Sequence, residues 1–160
     1  MRFINSRSKP LNKEEINEFI NYHLPYRIKI LENVISHPNK FNTDKYWPSV
    51  YESAQIICRM FIQFFGLGVD SNFPPKLKEL QKYYSKNDTS FEVKIKDLGF
   101  DFIRLSDLTE YEREILAHAY ESGSRATAHL TYGSPFSSEP QKVLEASNII
   151  RRLLKNKLNI

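Results

Sequence analysis

The chain is expected to be mostly all-α: an antiparallel bundle of four to five helices with a kinked N-terminal helix. One short extended or β segment is expected near 91–104. Three observations predict this. Apolar residues recur at helical spacing along most of the chain. Three capping patterns mark helix starts, at Asn12-Lys13-Glu14-Glu15, Ser49-Val50-Tyr51-Glu52 and Thr109-Glu110-Tyr111-Glu112. Strand-like alternation appears at Phe91-Glu92-Val93-Lys94-Ile95-Lys96, a run without an obvious partner beyond residues 100–104.

Residues 1–11 are polar, end next to Pro10, and read as a flexible arm. The bundle then occupies 12–160 as one domain, the default for 160 residues. In the first helix Ile16, Phe19 and Ile20 form the apolar stripe, which resumes with Leu24, Ile28, Leu31 and Ile35. Pro25 stands between the two runs. It has no N–H and its ring collides with the carbonyl four residues back, so a kink or a restart is expected there. Residues 37–48 read as a loop. The next helix carries Val50, Ala54, Ile57, Phe61, Phe64 and Phe65 and reads as the core helix, ended by Gly66 and Gly68. Lys76-Leu77-Lys78-Glu79-Leu80, after Pro74-Pro75, reads as a short helix. The helix after Thr109 uses Leu108, Tyr111, Ile115, Ala119, Ala126 and Leu130, and stops at Gly133 and Pro135. Ser122, Gly123, Ser124 and Ala126 make its second half small enough for a neighbour to come close. The last helix opens at Ser138-Glu139-Pro140-Gln141, with Val143, Ser147, Ile150 and Leu154 on one face and Ala146 and Leu153 beside them.

Composition sets the class. Hydrophobic residues make up 41%, charged residues 26% and aromatics 13%, which fits a packed interior rather than a disordered chain. The net charge of +4 is mildly basic and compatible with an acidic partner without requiring one. Cys58 is the one cysteine, so no intramolecular disulfide can form; inside an apolar helical run it reads as a small core residue. The residues after Met1 show no apolar leader. The apolar stretch Ala54–Val69, broken by Arg59 and Gln63, is short of the ~20 residues of a membrane span. A cytoplasmic protein without membrane contact is the expectation.

Chemistry is sparse. His118, Arg125 and His129 are seven and four apart and return to one side of a helix. Arg125 can hold a phosphate by charge-assisted hydrogen bonds, and His129 can move a proton near neutral pH. The plainer alternatives are an ion pair of Arg125 with Glu121 and a helix-capping role for His129. Glu52, Gln55, Arg59 and Gln63 form a polar stripe on the core helix. The stripe is either the solvent face or, in a central helix, a buried row that needs partners, with Glu52 or Arg59 facing Arg125 and His129. Arg151, Arg152, Lys155 and Lys157 form a basic C-terminal face suited to nucleic acid, though cations in a last turn also stabilise the helix itself. The four histidines lack metal-binding spacing, and no phosphate loop or dinucleotide fingerprint occurs, so no metal or cofactor is expected.

Ser124-Arg125-Ala126-Thr127-Ala128-His129-Leu130-Thr131 resembles the Ala-His-Leu-Thr helix end of small, uncharacterised bacterial helical proteins. Tyr51 to Gly66 resembles the long helix preceding it there. The layout over 49–157 resembles the HEPN superfamily of helical bundles in toxin–antitoxin and phage-defence systems. That resemblance implies a metal-independent ribonuclease with Arg125 on the scissile phosphate and His129 as acid or base. Catalytic members keep four to six residues, the first usually polar, between these two. Here Ala126, Thr127 and Ala128 intervene and the first is apolar, which favours a non-catalytic member. The expectation is therefore a non-enzymatic bacterial helical module that binds a protein partner or itself. The alternatives are an RNA-cleaving enzyme and a nucleic-acid binder acting through the basic C-terminal face.

Overall fold

The computed structural model describes residues 11–40, 43–80, 93–128 and 140–160. Residues 1–10 of the N-terminal arm, Phe91 and Glu92 of the expected strand at 91–96, and the stops at Gly133 and Pro135 fall outside them.

The first helix forms as its cap implies. The Asn12 side chain accepts from the Glu15 amide at 2.9 Å, and the Glu15 carboxylate accepts from the Asn12 amide at 2.8 Å. Helix α1 (Lys13–Glu18) runs into a π-helical turn (Phe19–His23), which leads into α2 (Leu24–Ser36). The interruption lies one turn before Pro25 rather than at it. The amide of Leu24 reaches back five residues to the Phe19 carbonyl, and the widened turn accommodates the proline ring. Leu24, Ile28, Leu31 and Val34 of α2 are buried.

Helix α3 (Trp47–Phe64) begins two residues before the expected capping box. Asp44 covers its start instead, accepting from the amides of Tyr46 and Trp47. Ser49 lies inside the first turn, where its carbonyl accepts from the Ser53 hydroxyl at 2.8 Å. Pro48 stands at the start of the helix, where a missing N–H costs nothing. Of the expected apolar stripe Ala54, Ile57, Phe61, Phe64 and Phe65 are buried and Val50 is half-buried. Gly66, at φ +80°, ends the helix in the left-handed conformation that glycine adopts freely.

Gly68 is not part of that stop. It sits in β1 (Leu67–Val69), which pairs antiparallel with β2 (Leu77–Glu79), Gly68 opposite Lys78. The expected short helix at 76–80 is thus a strand. Propensity favoured a helix for so charged a run. The chain after Gly66 instead offers an open edge within reach, and the Leu80 amide closes on the Gly66 carbonyl at 2.7 Å. The expected strand near 91–104 is displaced in turn. Ile95–Leu98 and Leu105–Asp107 are short 3₁₀ turns. The segment between them joins no strand and is tied to the end of α3 by the Ile103 amide on the Phe65 carbonyl, 3.1 Å.

The third capping pattern holds. Thr109 and Glu112 exchange amide hydrogen bonds at 2.9 and 3.2 Å, opening α4 (Glu110–Ala128). Ile115, Leu116, Ala117 and Ala119 are buried, but Tyr111 is exposed, so it leaves the expected stripe. Its hydroxyl donates to Glu145 of α5 (Pro140–Leu158). In α5 the six expected core positions are all buried. Cys58 is sealed in the core against the Ser147 hydroxyl, and burial pushes its thiol up to about 12. Helices α3 and α5 each touch the other long helices, and α3 with α4 forms the most extensive interface. Among the described residues no helix is long and apolar enough to cross a membrane.

Candidate functional site

Helix α3 has two sides of different character. Toward α4 it presents the polar stripe. Gln55 is fully buried, Arg59 and Gln63 are half-buried, and Glu52 alone is exposed. The stripe is therefore mostly an interface and not the solvent face. The close approach follows from Gly123. A Cβ there would lie 2.5 Å from the Gln55 carbonyl oxygen and 2.7 Å from the Arg59 Cβ, so only glycine permits this separation. Along the seam Gln63 donates to the Tyr120 hydroxyl at 3.2 Å, and the Arg59 guanidinium lies over the Tyr120 ring at 5.6 Å. These pairings show α3 and α4 to be antiparallel. His118 is half-buried on α4. Arg125 lies on α4 two residues after Gly123, but its side chain and the whole of His129 fall outside the described residues.

Toward the N-terminal helix α3 is open. A groove of about 390 Å³ is lined by Phe19, His23 and Arg27, by Met60, Phe61, Gln63 and Phe64 of α3, and by Val93 and Lys94. Its floor is aromatic: Phe19 stacks on Phe64 at 6.0 Å, and Phe61 meets Phe64 edge-on at 6.2 Å. The π turn positions two of the lining residues, Phe19 and His23. No carboxylate is among the described residues that line the groove. Arg27, Lys94 and, when protonated, His23 give it positive charge. Two acids stand beside the lining: Glu18 lies 3.6 Å from the His23 ring, and the Asp97 carboxylate accepts from the Lys94 amide at 2.8 Å. Arg27 is steadied by donating to the His23 carbonyl at 2.9 Å. Sequence reasoning missed this site. The signal available was Pro25 within a helical run, since such interruptions widen a turn and turn side chains aside.

The basic C-terminal face divides. Arg151 pairs with Glu32 of α2 at 2.8 Å and donates to the Ile160 main-chain oxygen. Arg152 pairs with Glu112 of α4 at 2.5 Å. Lys155 is exposed and Lys157 half-buried. Burial works against the charge on Glu112. The Thr109 amide, Arg152 and the Thr109 hydroxyl outweigh it and hold its carboxyl below the usual range. Among the described residues no three His, Cys, Asp or Glu side chains gather as a metal site would require.

The fold and groove together define a helical bundle with an open apolar cleft whose described lining includes Arg27 and Lys94. Compared with protein-family models, curated proteins and solved structures, the chain finds no match.

Proposed function

We propose that this protein is a non-enzymatic helical module whose groove receives a protein segment bearing apolar anchors next to acidic groups. The observation that carries this is the groove itself. Its size lies in the range of ligand-binding clefts, about 300–1,000 Å³. Its floor is aromatic and methionine-bearing, a surface that adapts to apolar anchors. Among the described lining residues the standing charges are those of Arg27 and Lys94, which an acidic segment complements. The π turn supports the reading, since such turns concentrate at functional sites. The test is a fluorescence anisotropy titration with a dye-labelled amphipathic peptide of Leu and Glu. Binding should weaken with salt, vanish in Met60→Glu, and be absent for the peptide with Lys in place of Glu. Equal binding of both peptides would overturn the proposal.

A second reading is favoured by the contact at Gly123, which seats the α4 backbone against the α3 polar stripe two residues before Arg125. It is the HEPN-like ribonuclease, with Arg125 holding a phosphate and His129 moving a proton. Incubation with a mixed RNA pool in EDTA, beside His129→Ala, tests it. Cleavage lost in the variant supports it, and an inert wild type dismisses it.

A further inference from the structure

The outer face of the N-terminal helix is a second feature, separate from the groove. Leu24, Ile28, Leu31 and Val34 of α2 turn inward. Opposite them Glu14, Glu18, Tyr22, Tyr26, Lys29 and Asn33 are all exposed. Residues four apart drift around a helix of 3.6 residues per turn, so a run from Glu14 to Tyr26 would wind off to one side. The π turn between Glu18 and Leu24 takes up one extra residue and offsets that drift. The six side chains therefore form one straight row along α1, the turn and α2. None of them lines the groove.

The middle of the row is aromatic. Tyr22 is 73% exposed and Tyr26 66%, one turn apart. Tyrosine joins a large, stiff ring to a polar tip, a side chain suited to a contact that forms and parts in water. The two ends of the row differ in charge. Toward the N-terminus stand the carboxylates of Glu14, Glu15 and Glu18, with Lys13 among them. His23 adds a cation there when protonated, 3.6 Å from Glu18. Toward the C-terminus stand Arg27 and Lys29, with Glu32, which Arg151 already engages at 2.8 Å. Among the described residues Glu14 and Lys29 form no ion pair. Glu18 and Lys29 lie at nearly equal distances on either side of the two tyrosines, as do Glu14 and Asn33.

We infer that this row is a self-association face: two copies pack it antiparallel across a two-fold axis centred between the tyrosines, Tyr22 against Tyr26 of the second copy and Glu18 against Lys29 of the second copy. A row that is acidic at one end and basic at the other complements itself only when reversed, which is what a two-fold axis does. Parallel packing would set carboxylate against carboxylate. Four rings bury about 150–250 Å² each, and the flanking side chains add to them, so the contact reaches toward the ~1,200 Å² lower limit of a stable interface. The dimer is therefore weak, grows with concentration and is loosened by salt.

Sedimentation velocity over a concentration series, at low and high salt, tests it. The wild type should sediment faster as concentration rises, and less so in high salt. Lys29→Glu and Glu18→Lys each set like charges across the axis, and each should stay monomeric with unchanged circular dichroism. Mixing the two should restore association, because every pairing of positions 18 and 29 across the axis is then between opposite charges. Met60→Glu alters the groove alone and should associate as the wild type does. A wild type monomeric throughout, a Lys29→Glu that associates like the wild type, or a mixture that stays monomeric would overturn the inference. Loss of association in Met60→Glu would overturn it too, by placing the contact in the groove.

Discussion

The side of α3 that faces α4 carries Gln55 and Arg59, yet it is closed; the side toward the Phe19–His23 turn carries Met60, Phe61 and Phe64, yet a groove remains there, with Gln63 on the border between the two. Hydrophobicity alone would arrange them the other way. The difference lies in the partner helix. On α4 the residue opposite Gln55 and Arg59 is Gly123, so the two backbones approach and the polar groups find partners across a thin seam. On the N-terminal side the facing residues are Phe19 and His23 of the widened turn and Arg27 of α2, all with large side chains, and no glycine brings the backbones together. Backbone proximity is set by the smallest side chain at the crossing, and burial of the polar stripe follows from it.

The sharpest way to break this comparison is at Gly123. Gly123→Val should cost about 3 kcal/mol in a urea melt, the upper part of the range for overpacking. Gly123→Ala is more telling. Helix propensity alone would stabilise it by about 1 kcal/mol, whereas the contacts with the Gln55 carbonyl and Arg59 predict a net loss of about 1–2 kcal/mol. A more stable alanine variant would show that the seam is not tight. Tyr120→Phe removes the acceptor of the Gln63 hydrogen bond and should cost about 1 kcal/mol. Acid titration probes the α4 entrance. The folded Glu112 carboxyl lies below its ordinary 4.5. Its contribution is complete above that value and is lost as pH falls through it and then through the folded pKa. Urea melts taken from neutral pH downward should show a shallower acid loss in Glu112→Gln. On the open side, Met60→Glu should change stability by no more than about 0.5 kcal/mol, while abolishing peptide binding.

Much of the helical layout could be read from the residues. The stripes of α2, α3 and α5 are long and periodic, and the caps at Asn12 and Thr109 are local chemistry that needs no tertiary context. Ser49 failed as a cap because Asp44 already covered the α3 start. Leu77–Glu79 failed as a helix because pairing with Leu67–Val69 is a long-range choice that local propensity does not register. The polar stripe of α3 was visible, but whether it met water or α4 depended on which helix lay opposite Gly123. The groove was hidden for the same reason. It is made by three separate parts of the chain and by a π turn whose register depends on how the chain relieves the Pro25 ring.

The most direct test of the docking groove is an amide-resolved NMR titration of the labelled protein with the acidic Leu–Glu peptide. The account predicts shifts that saturate and centre on Phe19, His23, Met60, Phe64 and Lys94, with the α4 seam unmoved. Shifts centred on α5 around Lys155, or none at all, would contradict it.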